Sequence, residues 1–139
     1  MRCRGIYLVR NPVPKEYNLE NISLIAPLLK DIEYYISYGT LLGYCRHRNV
    51  LDQDDDVDFS VNIKHKESIR SFITNTGFSL HVVGDHFLQG RRVINGVDTY
   101  IDFYFYEYTE DDSKYSDYII DRWSFHGQEH NPDNHYTYL

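Results

Sequence analysis

The chain reads as one α/β (α+β) unit, and three observations carry that reading. Val57, Phe59, Val61 and Ile63 alternate with Asp56, Asp58, Ser60 and Asn62, the two-residue period of a strand with one apolar and one polar face. Ile69, Phe72 and Ile73 recur at helical spacing between Lys66 and Asn75, and Gly77 stands where a glycine cap closes a helix. Asn95-Gly96 separates two strand-like runs and is a strong hairpin signal. No repeat or linker-like stretch divides the 139 residues, so a single unit over residues 1–139 is expected.

In chain order, Ile6 to Val9 suits a short strand, followed by a loop carrying Pro12 and Pro14. From Leu19 the apolar residues Ile22, Ile25, Ala26, Leu29, Ile32 and Ile36 follow helical spacing, with Asn18 as the expected N-cap. Pro27 lacks an amide proton and clashes with the preceding turn, so the helix either kinks there or starts there. Tyr34 to Tyr38 reads as a strand delivering the chain to Gly39, and Thr40 opens a short helix with Leu41, Leu42 and Cys45 on its apolar side. After the helix at 66–75, strands are expected at Phe78 to Val83, Phe87 to Ile94 and Asp98 to Tyr108, with a Gly84-Asp85 turn between the first two. Ile101, Phe103 and Phe105 share one face of the last strand, and Tyr100, Asp102, Tyr104 and Tyr106 share the other. The segment Tyr115 to Trp123 favours neither element, and the His- and Asn-rich end from His126 reads as irregular.

Composition excludes several classes. A hydrophobic content of 42% and a charged content of 25% are those of a soluble globular chain. The formal net charge of -7 argues against a long nucleic-acid partner, which requires clustered Lys and Arg. A phosphorylated small molecule is compatible with this acidity only if metal ions screen the carboxylates. Cys3 and Cys45 form no metal or disulfide pattern. The apolar stretch near the N-terminus is too short for a signal-peptide core, and no run approaches the ~20 residues of a membrane span. A cytoplasmic or otherwise soluble setting is the expectation.

The chemistry concentrates between residues 38 and 58. Asp54, Asp56 and Asp58 fall two residues apart just downstream of Tyr38-Gly39-Thr40-Leu41-Leu42-Gly43. Crowded carboxylates repel and lose hydration, so such a set implies a cation. Acidic runs more often mark a solvated loop, but a free loop has no reason to run directly into an apolar strand. An EF-hand is excluded because its glycine position is Phe59 and its closing glutamate position is His65. Gly39 and Thr40, between a strand and a helix, can offer amides and a hydroxyl to a phosphate at the positive helix end, although tight turns also require glycine for structural reasons alone. Arg46 and His47 either hold an anionic substrate or pair with the aspartates. The spacing of His126, His130 and His135 is too unspecific for zinc without cysteines nearby.

The ordered run Tyr38-Gly39-Thr40-Leu41-Leu42-Gly43-Tyr44-Cys45-Arg46-His47-Arg48-Asn49-Val50, followed by Asp54-Asp55-Asp56-Val57-Asp58-Phe59, resembles the signature of the LicD and fukutin family. Asp52-Gln53 stands where members of that family commonly carry Pro-Trp. The resemblance implies a nucleotidyltransferase-like fold with a mixed, mainly antiparallel sheet flanked by helices. It implies that Gly39 and Thr40 meet phosphate and that Asp56 and Asp58 hold magnesium or manganese. Asp102 would be the third carboxylate, with Asp54 assisting from the edge. The implied activity is transfer of phosphocholine, ribitol phosphate or a similar group from a CDP-linked donor to a glycan or other hydroxyl, releasing CMP. Two alternatives stay open: transfer of a nucleoside monophosphate itself, and a noncatalytic nucleotide-binding module.

Overall fold

The structure, a computed structural model, describes residues 12–52, 54–108, 119–121 and 136–138, with backbone alone at 108, 119–121 and 136–138. The expected strand at Ile6 to Val9, Cys3 and the three histidines His126, His130 and His135 lie outside the described residues. The elements run α1 (Lys15–Ile25), a 3-10 turn (Ala26–Leu29), β1 (Tyr34–Ile36), α2 (Tyr38–His47), β2 (Asp56–Asn62) and a second 3-10 turn (Ile63–His65). They continue with α3 (Lys66–Asn75), β3 (Ser79–Val83), β4 (Phe87–Ile94), β5 (Val97–Tyr108), β6 (Ile119–Asp121) and β7 (Tyr136–Tyr138).

Among the described residues the strands form one mixed sheet in the order β1-β2-β5-β4-β3, with β6 paired to β5 and β7 to β6. β2 and β5 are parallel, and every other pairing is antiparallel. The fold class expected from the sequence is the one observed. Adjacent strands in a parallel pair need a crossover; here α3 and the β3–β4 hairpin supply it, placing Asp58 directly beside Asp102. The β4–β5 turn at Asn95-Gly96 has positive φ at both residues (49° and 77°), as a two-residue hairpin of the primed type requires.

One face of the sheet is the core. Val57, Phe59 and Val61 of β2, Leu88 of β4, and Ile101, Phe103 and Phe105 of β5 pack with Ile25, Leu29, Ile69 and Ile73 from the helical segments. Phe59 and Phe103, opposite each other across the parallel pair, stack at 5.5 Å between ring centroids. A second tie is polar: buried Asn21 of α1 donates to Thr99 Oγ1 at 2.8 Å, and Arg92 Nη2 reaches Glu20 at 2.7 Å. None of the described helices is long and apolar enough to cross a membrane.

Local patterning mis-set four details. Asn18 is not the cap of α1 but a buried residue within it, and its side-chain amide donates to the backbone carbonyl of Asp54 at 3.2 Å. The helix ends at Ile25, two residues before Pro27, and Ile36 belongs to β1. In α2 the inward residues are Thr40 and Gly43, whereas Leu41, Leu42 and Cys45 are exposed. Gly43 is required by space, because a Cβ there would stand 2.6 Å from the carbonyl oxygen of Asn49 and 2.9 Å from the amide nitrogen of Leu51. Finally, the C-terminal stretch expected to be irregular contains β7, paired with β6.

Candidate active site

The polar face of β2 and β5 carries the candidate site. Because side chains alternate across a strand, Asp56 and Asp58 share the face opposite Val57 and Phe59, and Asp102 shares the corresponding face of β5. The parallel register brings the two strands' carboxylates together, and ligand oxygens of Asp56, Asp58 and Asp102 all lie within 4.8 Å of one another. Asp58 and Asp102 are each only 4% exposed. Burial first, and then the charges of Asp58, Asp102 and Asp55, push the Asp56 carboxyl far above the ordinary carboxylate range. Tyr104, next on the same face of β5, is likewise pushed up by burial and by the charges of Asp102, Asp58 and Asp56.

The β1–α2 junction is bonded to this strand pair. Ser37 donates its backbone N–H to the Asp58 carbonyl at 3.1 Å, and the Asp58 N–H donates to Thr40 Oγ1 at 2.8 Å. The Thr40 hydroxyl oxygen thus holds Asp58 in place, and a hydroxyl that accepts in this way keeps a proton with which it can donate. Gly39 is where α2 meets the acidic turn: a Cβ there would sit 2.6 Å from Asp54 Oδ2. It is Tyr38, not the glycine, that takes the left-handed backbone, with φ of 47°, a conformation that costs a non-glycine residue about 1–2 kcal/mol. Its half-exposed ring meets the edge or face of Tyr104 at 4.9 Å, directly beside the carboxylates.

Asp54 is close by but belongs to a second acidic group, with Asp55 and Asp56. One of its oxygens accepts from the Asp55 N–H at 3.1 Å, while Oδ2 is buried without a hydrogen-bond partner among the described residues. Burial and the Asp55 charge raise its carboxyl above the usual value, against the smaller opposing effect of that N–H. Asp56 therefore stands in both groups. Arg46 and His47 lie exposed in the last turn of α2, about 10 Å along the helix axis from Thr40, and no hydrogen bond or ion pair joins them to the aspartates among the described residues.

Three carboxylates with mutually close oxygens form the hard, anionic donor set that magnesium and manganese prefer. Asp54 Oδ2 beside Gly39 adds a further oxygen, buried with no hydrogen-bond partner among the described residues. The residues present thus fit a divalent cation.

Four neighbours of the site escaped the sequence reading. Ser37 is 6% exposed, and its hydroxyl finds no partner among the described residues. Tyr38 heads the family-like run and Tyr104 shares the face expected for Asp102, but an aromatic ring in a strand is usually packing, so neither stands out as a site residue. Gln89 donates from Nε2 to Asp102 Oδ1 at 2.8 Å, and here a signal did exist. A two-residue turn at Asn95-Gly96 sets Ile94 opposite Val97, and counting outward from that pair puts Gln89 opposite Asp102.

A family model described as LicD/FKTN/FKRP, nucleotidyltransferase domain, matches residues 31–138. No curated protein sequence matches the chain. Among solved structures, the lincomycin-bound crystal structure of the lincosamide antibiotic adenylyltransferase LnuA is similar, with a TM-score of 0.57 and 15% sequence identity. That likeness covers 93% of this chain and 71% of LnuA, and at this identity it speaks for the fold. Since the matched residues run from before β1 to the end of β7 and include both carboxylate strands, the chain belongs to the LicD/FKTN/FKRP nucleotidyltransferase-domain family and has a transferase fold.

Proposed function

We propose that this protein transfers a phosphorylated group, such as phosphocholine or ribitol phosphate, from a CDP-linked donor to a hydroxyl of a glycan or small acceptor, releasing CMP. The observation that carries the reading is the convergence of Asp56, Asp58 and Asp102 beside the first turn of α2. Asp56, Asp58 and Asp102 would hold magnesium or manganese, with Asp54 at the edge. When bound, such an ion supplies charge neutralisation for the donor phosphates and lowers the barrier to in-line displacement.

The chain's own residues do the remainder. The first-turn amides of α2 have no partner within the helix and, with Gly39 and the Thr40 hydroxyl, face the positive helix end toward donor phosphate. Arg46 and His47, at the other end of α2, are assigned to the anionic substrate at longer reach. The acceptor oxygen attacks the phosphorus that bears the transferred alcohol, the bond from that phosphorus to the CMP oxygen breaks, and the hydroxyl proton passes to a carboxylate. Asp102, one oxygen of which accepts from Gln89, suits that last role.

A second reading has one observation in its favour, since a similar solved structure is of an adenylyltransferase. In that case attack falls on the phosphorus nearest the nucleoside, its bond to the bridging oxygen breaks, the nucleoside monophosphate is what moves, and the rest of the donor leaves as its phosphate monoester. Product analysis with a radiolabelled CDP-linked donor, an acceptor sugar and Mn²⁺ separates the two. CMP plus a phosphodiester-linked acceptor supports the first reading; a nucleotidylated acceptor supports the second. Absence of any donor turnover, together with no calorimetric binding of Mn²⁺ or CDP, would leave only a noncatalytic domain.

A further inference from the structure

We infer that Gln89 is a positioning residue that holds Asp102 in its metal-binding orientation. The inference rests on the metal-site reading above and deepens it by naming the group that orients the third carboxylate. Gln89 is 2% exposed in the middle of β4, where its sequence neighbour on the core face is the fully buried Leu88. A primary amide in such a place is unfavourable unless bonded, and its Nε2 is bonded to Asp102 Oδ1 at 2.8 Å. The two residues are direct cross-strand partners, and Asp102 is in turn the direct partner of Asp58. Gln89, Asp102 and Asp58 therefore form one row across three strands.

The chemistry of the donor decides its role. A Lys or Arg at this position would neutralise Asp102 and compete with a cation for it. A neutral amide fixes one carboxylate oxygen and leaves the negative charge available. The cation nearest along the same face of β4, Arg91, is turned instead to Asp98, with Nη2 to Oδ1 at 2.6 Å. Partners that orient a ligating carboxylate from behind affect metal affinity by about 10–100-fold when removed.

The test is Mn²⁺ affinity, followed by calorimetry and by the electron paramagnetic resonance signal of free Mn²⁺, for wild type, Gln89→Met, Asp102→Asn and the double variant. Gln89→Met, which keeps the volume and removes the donor, is expected to weaken Mn²⁺ binding about tenfold or more, with the metal-free melting temperature lowered only modestly, by the loss of one donor to a buried carboxylate. On the Asp102→Asn background the same substitution is expected to change Mn²⁺ affinity by less than about twofold, because the residue acts through Asp102. A folded Gln89→Met that binds Mn²⁺ like wild type overturns this inference alone. Wild type that binds no Mn²⁺ overturns the metal-site reading, and this inference with it. Should Gln89→Met not fold, ¹⁵N-labelled wild type gives the answer. Mg²⁺ is expected to shift the Gln89 side-chain amide signals along the metal saturation curve, and signals that stay put overturn the inference.

Discussion

The two faces of the β2–β5 pair are built from the same two strands and obey opposite rules. On one, Val57, Phe59, Ile101 and Phe103 are buried against helices and lower the free energy of the folded state. On the other, Asp56, Asp58 and Asp102 are driven together in a setting that resists the ionisation of Asp56. The contrast shows that the apolar face supplies the stability against which the acidic face is held in a strained, charge-crowded arrangement. A carboxylate cluster of this kind persists only where something else over-determines the backbone. Here that is the stacked Phe59–Phe103 pair, together with the Thr40 bond to Asp58.

The sharpest way to separate the faces is to remove one member of each. Asp56→Ala should lower donor turnover about a thousandfold, ~4 kcal/mol of transition-state stabilisation, while raising the metal-free melting temperature, since it relieves repulsion with Asp58 and Asp102. Steady-state kinetics and scanning calorimetry on the same sample read both signs, and a destabilised Asp56→Ala would break the comparison. On the apolar face, Phe103→Ala is expected to destabilise by about 3–5 kcal/mol in urea unfolding, with Mn²⁺ affinity of the remaining folded fraction falling far less than in Asp56→Ala.

A smaller effect probes the junction between them. Gly43→Ala must displace backbone at Asn49 and Leu51, so a loss of about 1–3 kcal/mol is expected. Because that strain lies in the loop leading to Asp54, the variant should weaken Mn²⁺ binding as well.

The mildest test uses pH. Asp56 has its folded-state pKa raised, so between the ordinary carboxylate range and that raised value the folded state binds more protons than the unfolded chain. Stability is then fullest below the ordinary range and falls as pH rises toward and through neutrality. In EDTA the melting temperature should therefore decline over that window, more steeply for wild type than for Asp56→Ala. Saturating Mn²⁺, which binds the ionised form, should flatten or reverse the decline. A wild-type profile in EDTA no steeper than that of Asp56→Ala would remove the electrostatic half of the comparison.

The parts of this molecule that short-range patterning revealed are those whose cause is local. The limits of α3 match the helical period at Ile69, Phe72 and Ile73, and β4 and the common face of Asp56 and Asp58 follow from alternation and the Asn95-Gly96 turn. The misplaced features have causes distant in the chain. Leu41 and Leu42 look like a helix's inward stripe, yet close backbone approach at Gly43 and the Thr40 bond to Asp58 turn the opposite side inward. Asn18 has the chemistry of a cap, but the Asp54 carbonyl, thirty-six residues on, claims its amide.

By itself the order of residues determined which side chains share a face and which turns reverse the chain, because those follow from two- and 3.6-residue periods and from glycine backbone freedom. Only the tertiary structure decided that β2 would lie parallel to β5, so that Asp58 meets Asp102, and that Ser37 and Tyr38 would line the rim of the carboxylates. Parallel pairing carries no local mark in either strand. It is selected by burying Val57, Phe59, Ile101 and Phe103 together beneath α1 and α3, and the acidic cluster on the far side is a consequence of that burial.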